Sequence, residues 1–169
     1  MAEDVAKPVM NLADVETMEF GHGEGFSARL GRIGPRIGSP GIGCMLTIVP
    51  PGKKAFPFHA HHANDEMFFI LEGSGEYRLG EERFAVKAMD VVAAPAGGPE
   101  TAHQLINTGA ADLKYLAFST MADPEVVEYP DSGKFAAVSR FDWKNPASGK
   151  GIRYIGRTES TLDYWDGEE

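Results

Sequence analysis

The sequence predicts an all-β protein folded as a small antiparallel jelly-roll barrel. Short runs rich in Val, Ile, Phe and Tyr recur about every ten residues between Gly and Pro, whereas the periodicity of amphipathic helices is hard to find. The chain of 169 residues is most simply one domain. Short strands joined by tight turns would close into a barrel or a double-sheet jelly roll, because both arrangements protect strand edges.

Eight predicted strands form the barrel, which we place at residues 42–120. They cover residues 44–50, 55–61, 66–73, 75–80, 82–88, 90–96, 103–109 and 113–120. A Gly-rich N-terminal arm over residues 1–41 precedes the barrel, and a C-terminal extension over residues 121–169 follows it. Because neither segment is long enough to be an independent domain, we expect the arm to pack on the barrel.

Composition narrows the range of partners. The net charge of −9 disfavours nucleic acid, because binding to phosphates depends on clustered Lys and Arg. No stretch approaches the roughly 20 apolar residues of a membrane-spanning helix, and the N-terminus lacks the basic start of a signal peptide. We therefore expect a cytoplasmic protein without a membrane partner. Cys44 is the single cysteine, which excludes an internal disulfide and a site of several thiolates.

The most informative stretch is FPFHAHHANDEMFFILEG, residues 56–73. Successive side chains of a strand alternate faces, so His59 and His61 would project together and His62 the other way. An antiparallel partner strand that begins at Glu66 would bring a carboxylate beside the two imidazoles. His103, which opens a later strand, could supply a third nitrogen. The pattern predicts a metal site of three imidazoles and one carboxylate.

A bound cation gives a physical reason for this clustering. Imidazoles and a carboxylate inside an apolar barrel would each cost several kcal/mol without partners, and coordination to a cation offsets that cost. Nitrogen and oxygen donors without thiolate suit one divalent ion such as Fe, Mn, Zn, Ni or Co, and the sequence does not choose among these metals. An isolated H-x-H would be a weak signal, since surface histidines fall at that spacing by chance.

These residues resemble the two sequence motifs of the cupin superfamily. The first motif contains Gly52, His59, His61, Glu66 and Gly73, and the second contains Asp90, Pro95, Gly97, His103 and Asn107. The likeness covers roughly residues 42–120 and is to small bacterial single-domain cupins (cupin_2-like) of unassigned function. Two departures stand out: Met89 replaces a usual glycine, and the span from Gly97 to His103 is three residues longer than usual.

The resemblance implies a jelly-roll barrel in which His59, His61, Glu66 and His103 bind one divalent ion. From this site we expect a metal-dependent enzyme of the dioxygenase or isomerase type, acting on a small anionic oxygenated molecule. The alternative is a non-catalytic protein that binds or senses a small ligand through its metal. The cupin resemblance and the apolar side chains on both faces of residues 66–71 lead us to expect a homodimer.

Two further residues are candidates for catalysis. The hydroxyl of Tyr77 could orient the substrate or pass a proton, although a core aromatic with a satisfied hydroxyl is the simpler interpretation. Glu100, in the lengthened loop before His103, could serve as a general base, although an exposed carboxylate is common in such a loop. The sequence therefore identifies metal ligands more sharply than it identifies acid or base residues.

Overall fold

A computed structural model describes residues 7–142 and 146–168, and it confirms the predicted all-β class. The thirteen strands of this part of the chain are β1 (Met18–His22), β2 (Phe26–Arg32), β3 (Ile42–Val49), β4 (Ala60–His61), β5 (Glu66–Glu72), β6 (Ser74–Leu79), β7 (Glu82–Lys87), β8 (Val91–Ala94), β9 (His103–Ile106), β10 (Leu113–Thr120), β11 (Glu125–Tyr129), β12 (Lys134–Ser139) and β13 (Ile152–Gly156). Short 3-10 turns lie at Leu12–Asp14, Gly34–Ile37, Pro99–Thr101, Pro130–Ser132, Pro146–Ser148 and Thr158–Ser160. None of the helices among the described residues has the length and apolar character needed to cross a lipid bilayer.

The described residues form three antiparallel sheets. The first has the strand order β1-β2-β3-β10-β5-β8, the second β7-β6-β9, and the third β13-β12-β11-β4. An isolated antiparallel bridge between His59 and His103 joins the chain just before β4 to β9. The eight predicted barrel strands correspond to β3 through β10, with most ends displaced by one to three residues.

The strand predicted over residues 55–61 was too long, because only Ala60–His61 is regular strand. The preceding segment keeps isolated bridges at Lys54 and His59 alone. Pro57 lies between these bridges, and a proline has no N–H to give to a ladder. His59 is therefore held by a bridge at the end of an irregular segment.

The arm and the extension both contain strands that the sequence analysis did not predict. In the arm, β1 and β2 form a hairpin, and β2 pairs with β3. In the extension, β11 pairs with β4 in a register that places Val127 opposite His61. The division of the chain at residues 41 and 120 stays a prediction. Residues 1–6 of the predicted arm, and residues 143–145 and 169 of the extension, lie outside the described residues.

Two apolar clusters lie on opposite sides of the first sheet. The inner cluster fills the barrel and includes Phe68, Ile70, Tyr77 and Tyr115. The outer cluster joins the arm to the sheet and contains Val15, Ile33 and Leu46, with Leu71 packed against it. The arm therefore covers part of the outer face of β5, while Met67 on that face remains 45% exposed.

Two turns around β5 depend on left-handed backbone. Gly73 has φ +82°, and a Cβ there would collide with the carbonyl oxygen of Asp112, so only glycine fits. Met89, which stands where the resemblance expects a glycine, also has a positive φ of 75° and a side chain that is 74% exposed. Methionine therefore adopts a backbone conformation that glycine would adopt with less strain.

Candidate metal centre

The structure brings the four predicted ligands together inside the barrel. His59 lies just before β4, His61 ends β4, Glu66 begins β5 and His103 begins β9. The Nε2 atoms of the three imidazoles lie 4.0, 3.7 and 3.0 Å, in that order, from the same oxygen, Oε2 of Glu66. Donor atoms of His59, His61 and Glu66 all lie within 4.8 Å of one another. His103 adds a third nitrogen beside that carboxylate.

The Nδ1 atom of each imidazole, on the other side of the ring from Nε2, faces an oxygen. Nδ1 of His59 lies 2.7 Å from the carbonyl oxygen of Pro57, and Nδ1 of His103 lies 3.4 Å from that of Thr101. Nδ1 of His61 lies 3.3 Å from a carboxylate oxygen of Glu125. Carbonyl and carboxylate oxygens only accept hydrogen bonds, so each Nδ1 must carry a proton to bond. A ring that carries its one proton at Nδ1 turns an Nε2 lone pair toward Glu66, whereas the 3.0 Å hydrogen bond between His103 Nε2 and Glu66 Oε2 needs a proton that a bound cation would replace.

This arrangement fits a divalent cation. Three lone pairs aimed at an ionised carboxylate repel it unless a proton or a cation lies among them. Two ligands that are each about 2.1 Å from one ion, at a right angle, are roughly 3 Å apart. The distance of 3.0 Å between His103 Nε2 and Glu66 Oε2 matches that spacing, and the distances from His59 and His61 are up to 1 Å longer.

Burial and mutual charge set the protonation states of the cluster. Burial, together with the neighbouring His103 and His61, lowers the pKa of His59 to about 4, and Glu66 and the carbonyl of Pro57 oppose this with smaller effects. Burial alone would raise the pKa of Glu66, but the hydrogen bond from His103 and the nearby imidazoles outweigh burial and lower it. At neutral pH, His59 is neutral and Glu66 is ionised. Those are the forms that coordinate a metal.

A cavity of about 260 Å³ opens beside the four ligands. Its remaining lining residues are Met45, Phe56, Phe68, Gln104, Leu105, Tyr115, Ala117, Val127 and Tyr129. Most of these side chains are apolar, as the sequence analysis expected of the barrel interior. Among the described residues that line the cavity, none is Lys or Arg. The cavity therefore suits a small molecule whose charged group approaches the four ligands.

The other candidate residues do not join the cluster. Tyr77 is buried, and its hydroxyl donates a 2.8 Å hydrogen bond to the carbonyl oxygen of Ala93, while burial raises its pKa. Glu100 is exposed, and hydrogen bonds from its own backbone N–H and from that of Gly98 lower the pKa of its carboxyl. Neither residue lines the cavity. Their catalytic roles are untested predictions, and their positions do not support them.

His62 projects away from the ligands, as strand alternation predicts. It is exposed, and its Nε2 lies 3.4 Å from Oε1 of Glu128. Asn107, the last residue of the second motif, is fully buried and acts through the backbone. Its amide nitrogen donates to the carbonyl oxygens of Val49 and Ala111 at 2.7 and 2.8 Å. Asn107 therefore fixes the chain between β9 and β10 without contacting the cluster.

The sequence analysis missed the contribution of β11. This strand provides Val127 and Tyr129 to the cavity, and its first residue, Glu125, contacts His61. The segment EVVEY between two prolines has the β-branched and aromatic composition of a strand, which was an available signal. Its pairing with β4 joins Val127 to His61 and Glu128 to Ala60, which are 66 and 68 positions apart, and local pattern does not predict such a partner.

Comparison with known proteins places this site in a family context. Residues 45–119 match the family model Cupin_2, described as a cupin domain. An uncharacterized protein from Methanocaldococcus jannaschii is 38% identical over 85 residues, which are 48% of this chain and 65% of that protein. The 5-nitrosalicylic acid 1,2-dioxygenase from a Bradyrhizobium species is 24% identical over 119 residues, which are 69% of this chain and 49% of that enzyme.

Two other similarities add to this context. The oxalate-binding protein from Thermotoga maritima is 33% identical over 69 residues, which are 41% of this chain and 54% of that protein. The chain thus spans less than two thirds of each of these three relatives. A solved sugar phosphate isomerase from Silicibacter pomeroyi, of the cupin superfamily, superposes with a TM-score of 0.75 at 23% identity. The superposition covers 94% of this chain and 98% of that chain. That likeness establishes the fold.

Proposed function

We propose that this chain is a cupin, because residues 45–119 match the family model Cupin_2, and that it is a metal-dependent oxidoreductase of the dioxygenase type. In this proposal, His59, His61, Glu66 and His103 hold one divalent ion, and a small anionic oxygenated molecule occupies the adjoining cavity. The observation that carries the proposal is the approach of three Nε2 atoms to a single oxygen of Glu66.

The metal would supply Lewis-acid or redox chemistry, and the protein residues would bind and orient the small molecule and exclude water from it. Three neutral imidazoles and one carboxylate leave a divalent ion with residual positive charge, which favours an anionic oxygen ligand. Phe56, Phe68 and Val127 line the cavity and exclude water from the bound molecule. Tyr129 and Gln104 add polar groups to the same wall, and Gln104 is fixed by donating to the carbonyl oxygen of Phe56 at 2.8 Å.

Size and charge favour a small carboxylate over a sugar phosphate. A cavity of about 260 Å³ lies just below the usual range for drug-sized ligands. A phosphate group normally meets Arg, Lys or backbone N–H groups, and none of the described lining residues is Arg or Lys. The relative named 5-nitrosalicylic acid 1,2-dioxygenase supports the same choice, whereas the isomerase similarity rests on fold alone.

A second candidate is a non-catalytic protein that holds a small carboxylate on its metal. The positions of Tyr77 and Glu100 favour it, because neither residue reaches the cavity as an acid or base. The relative named oxalate-binding protein is consistent with this alternative. Both candidates need the same ligand set, and they differ in whether the bound molecule is turned over.

The deciding experiment is purification without oxygen, elemental analysis, and reconstitution with Fe, Mn, Co, Ni or Zn. Each form is then tested for oxygen consumption with salicylates, 2-oxo acids, diketones and catechols, and for isomerisation of sugar phosphates. We expect oxygen uptake with a small carboxylate and one redox-active metal. Binding without turnover in every form would favour the non-catalytic protein.

The ligand assignment has its own control. The double substitution His59→Ala and His61→Ala should abolish metal uptake, because it removes two of the four donors. The substitution His62→Ala should leave uptake unchanged, because that imidazole faces Glu128 instead of the cluster. A stoichiometric ion retained by the double variant would show that the ligands are wrongly assigned.

The quaternary state and the cellular location belong to the same proposal. We propose a homodimer in the cytoplasm. The exposed apolar side chains Met67 and Val91 on the outer face of the first sheet support the dimer, as do Tyr164 and Trp165, which are 83% and 69% exposed and pack on each other. Sedimentation at micromolar concentration should give twice the mass of 18.3 kDa. A monomer under these conditions would overturn the dimer.

A further inference from the structure

We propose that Glu125, at the start of β11, is a positioning residue that fixes the tautomer and orientation of His61. This inference rests on the proposed metal site, since a fixed His61 matters most as a ligand. The carboxylate lies outside the segment of residues 45–119 that the family model matches, and it reaches the site only because β11 pairs with β4.

The carboxylate of Glu125 is itself held rigidly. The residue is only 9% exposed. Its Oε1 accepts hydrogen bonds from the backbone N–H groups of His62 and Ala63, both at 3.1 Å, and from its neighbour Val126 at 2.9 Å. Its Oε2 accepts a hydrogen bond from the amide of Asn64. Four hydrogen-bond donors therefore hold the carboxylate of Glu125 in place independently of the imidazole of His61.

The fixed oxygen Oε2 of Glu125 orients the imidazole ring of His61. Nδ1 lies 3.3 Å from Oε2 of Glu125, and Nε2, on the other side of the ring, lies 3.7 Å from Oε2 of Glu66. An ionised carboxylate cannot donate, so the Nδ1 atom must carry the proton of the neutral ring. Nε2 is then unprotonated and faces the cluster. Such outer carboxylates also raise the basicity of a ligating imidazole.

The partner of His61 differs from those of the other two ligands. His59 and His103 each rely on a backbone carbonyl oxygen, from Pro57 and Thr101. Of the three candidate ligand imidazoles, only His61 has a charged side chain at its Nδ1 atom, counting the described residues. A substitution can therefore remove this partner without disturbing the other two.

A purely structural role for Glu125 would consist of holding the turn after β4 through its backbone bonds. The substitution Glu125→Gln separates the two roles. The glutamine oxygen can replace Oε1, which accepts three backbone N–H groups, and the amide nitrogen then replaces Oε2. That nitrogen presents a donor to His61 and favours the tautomer with the proton on Nε2. The hydrogen bond from Asn64 is also lost, so the thermal stability of each metal-free variant is measured as well.

Glu128→Gln is the matched control. Glu128 lies on the same strand, carries the same charge and faces His62, an imidazole outside the cluster. A general effect of one lost negative charge would change both variants alike. An effect through His61 would change only Glu125→Gln.

The first measurement is the ¹⁵N spectrum of the imidazoles in the metal-free protein at about pH 8, where an ordinary imidazole is neutral. We expect His61 to be protonated at Nδ1 in the unaltered protein and in Glu128→Gln, and at Nε2 in Glu125→Gln. A proton on Nε2 of His61 in the unaltered protein would overturn the proposal. The result for the unaltered protein depends neither on metal binding nor on the stability of a variant.

The second measurement is the affinity for Co²⁺ by calorimetry. We expect Glu125→Gln to bind Co²⁺ about 10- to 100-fold more weakly and Glu128→Gln to bind as the unaltered protein does. Equal affinities for all three proteins, or an equal loss in both variants, would overturn the positioning role. If the unaltered protein binds no Co²⁺ or other divalent ion, the proposed function fails, and the tautomer still decides the inference about Glu125.

Discussion

Acid should destabilise the metal-free protein through His59. Burial, with a contribution from the neighbouring imidazoles, lowers the pKa of His59 from its ordinary 6.5 to about 4 in the folded protein, so the unfolded chain takes up the proton first as pH falls. The free energy of unfolding therefore decreases as pH falls below 6.5, the pKa of His59 in the unfolded chain. The loss is complete below about pH 4, the pKa of His59 in the folded protein. A difference of about 2.5 units corresponds to roughly 3 kcal/mol, of which about 2 kcal/mol is lost by pH 5.

The assay is urea unfolding in EDTA at about pH 7 and about pH 5, followed by circular dichroism. His59→Gln removes the titrating group and should lose about 2 kcal/mol less than the unaltered protein between these two pH values. His22→Gln, an exposed imidazole of β1, is the control and should behave like the unaltered protein. An equal loss in the unaltered protein and in His59→Gln would refute the argument that burial of His59 causes the acid sensitivity.

Two turn substitutions and one cavity substitution give further predictions. Gly73→Ala should lower the free energy of unfolding by about 2 kcal/mol or more, because alanine is strained at φ +82° and its Cβ would strike Asp112. Met89→Gly should raise it by up to about 1 kcal/mol, and urea unfolding showing the same sign for both changes would contradict this account. Tyr129→Ala should weaken binding of a small carboxylate about tenfold, the equivalent of losing roughly 50 Å² of apolar contact. Calorimetry should show unchanged metal affinity in that variant, and unchanged carboxylate affinity would remove Tyr129 from the binding wall.

Local pattern predicted the barrel because its strands are short, regular and bounded by turns. Glu66 and the apolar run after it lie in β5 as the alternation requires, and Phe68 and Ile70 point into the core. The segment before His59 was misjudged, because Pro57 removes a hydrogen-bond donor that the pattern of apolar residues does not register.

The ligand positions were predictable because strand alternation and the order of the motifs fix them. The role of β11 was not, because its pairing with β4 depends on where residues beyond the barrel return in space. The partners of the Nδ1 atoms were equally hidden: two are backbone oxygens, and the third is Glu125, 64 residues after His61.

Because β11 pairs with the edge of β4, two different parts of the chain build the site: one holds the candidate metal ligands and the other lines the cavity. The segment that matches the family model carries the four candidate donor atoms, while the residues after it line one side of the cavity through Val127 and Tyr129. Exchanging the segment after residue 120 between relatives should alter which compound is accepted, and should also weaken metal binding wherever the exchange removes Glu125. Substitutions in the residues after 119 can therefore change the ligand specificity of the cavity in a region that the family model does not cover.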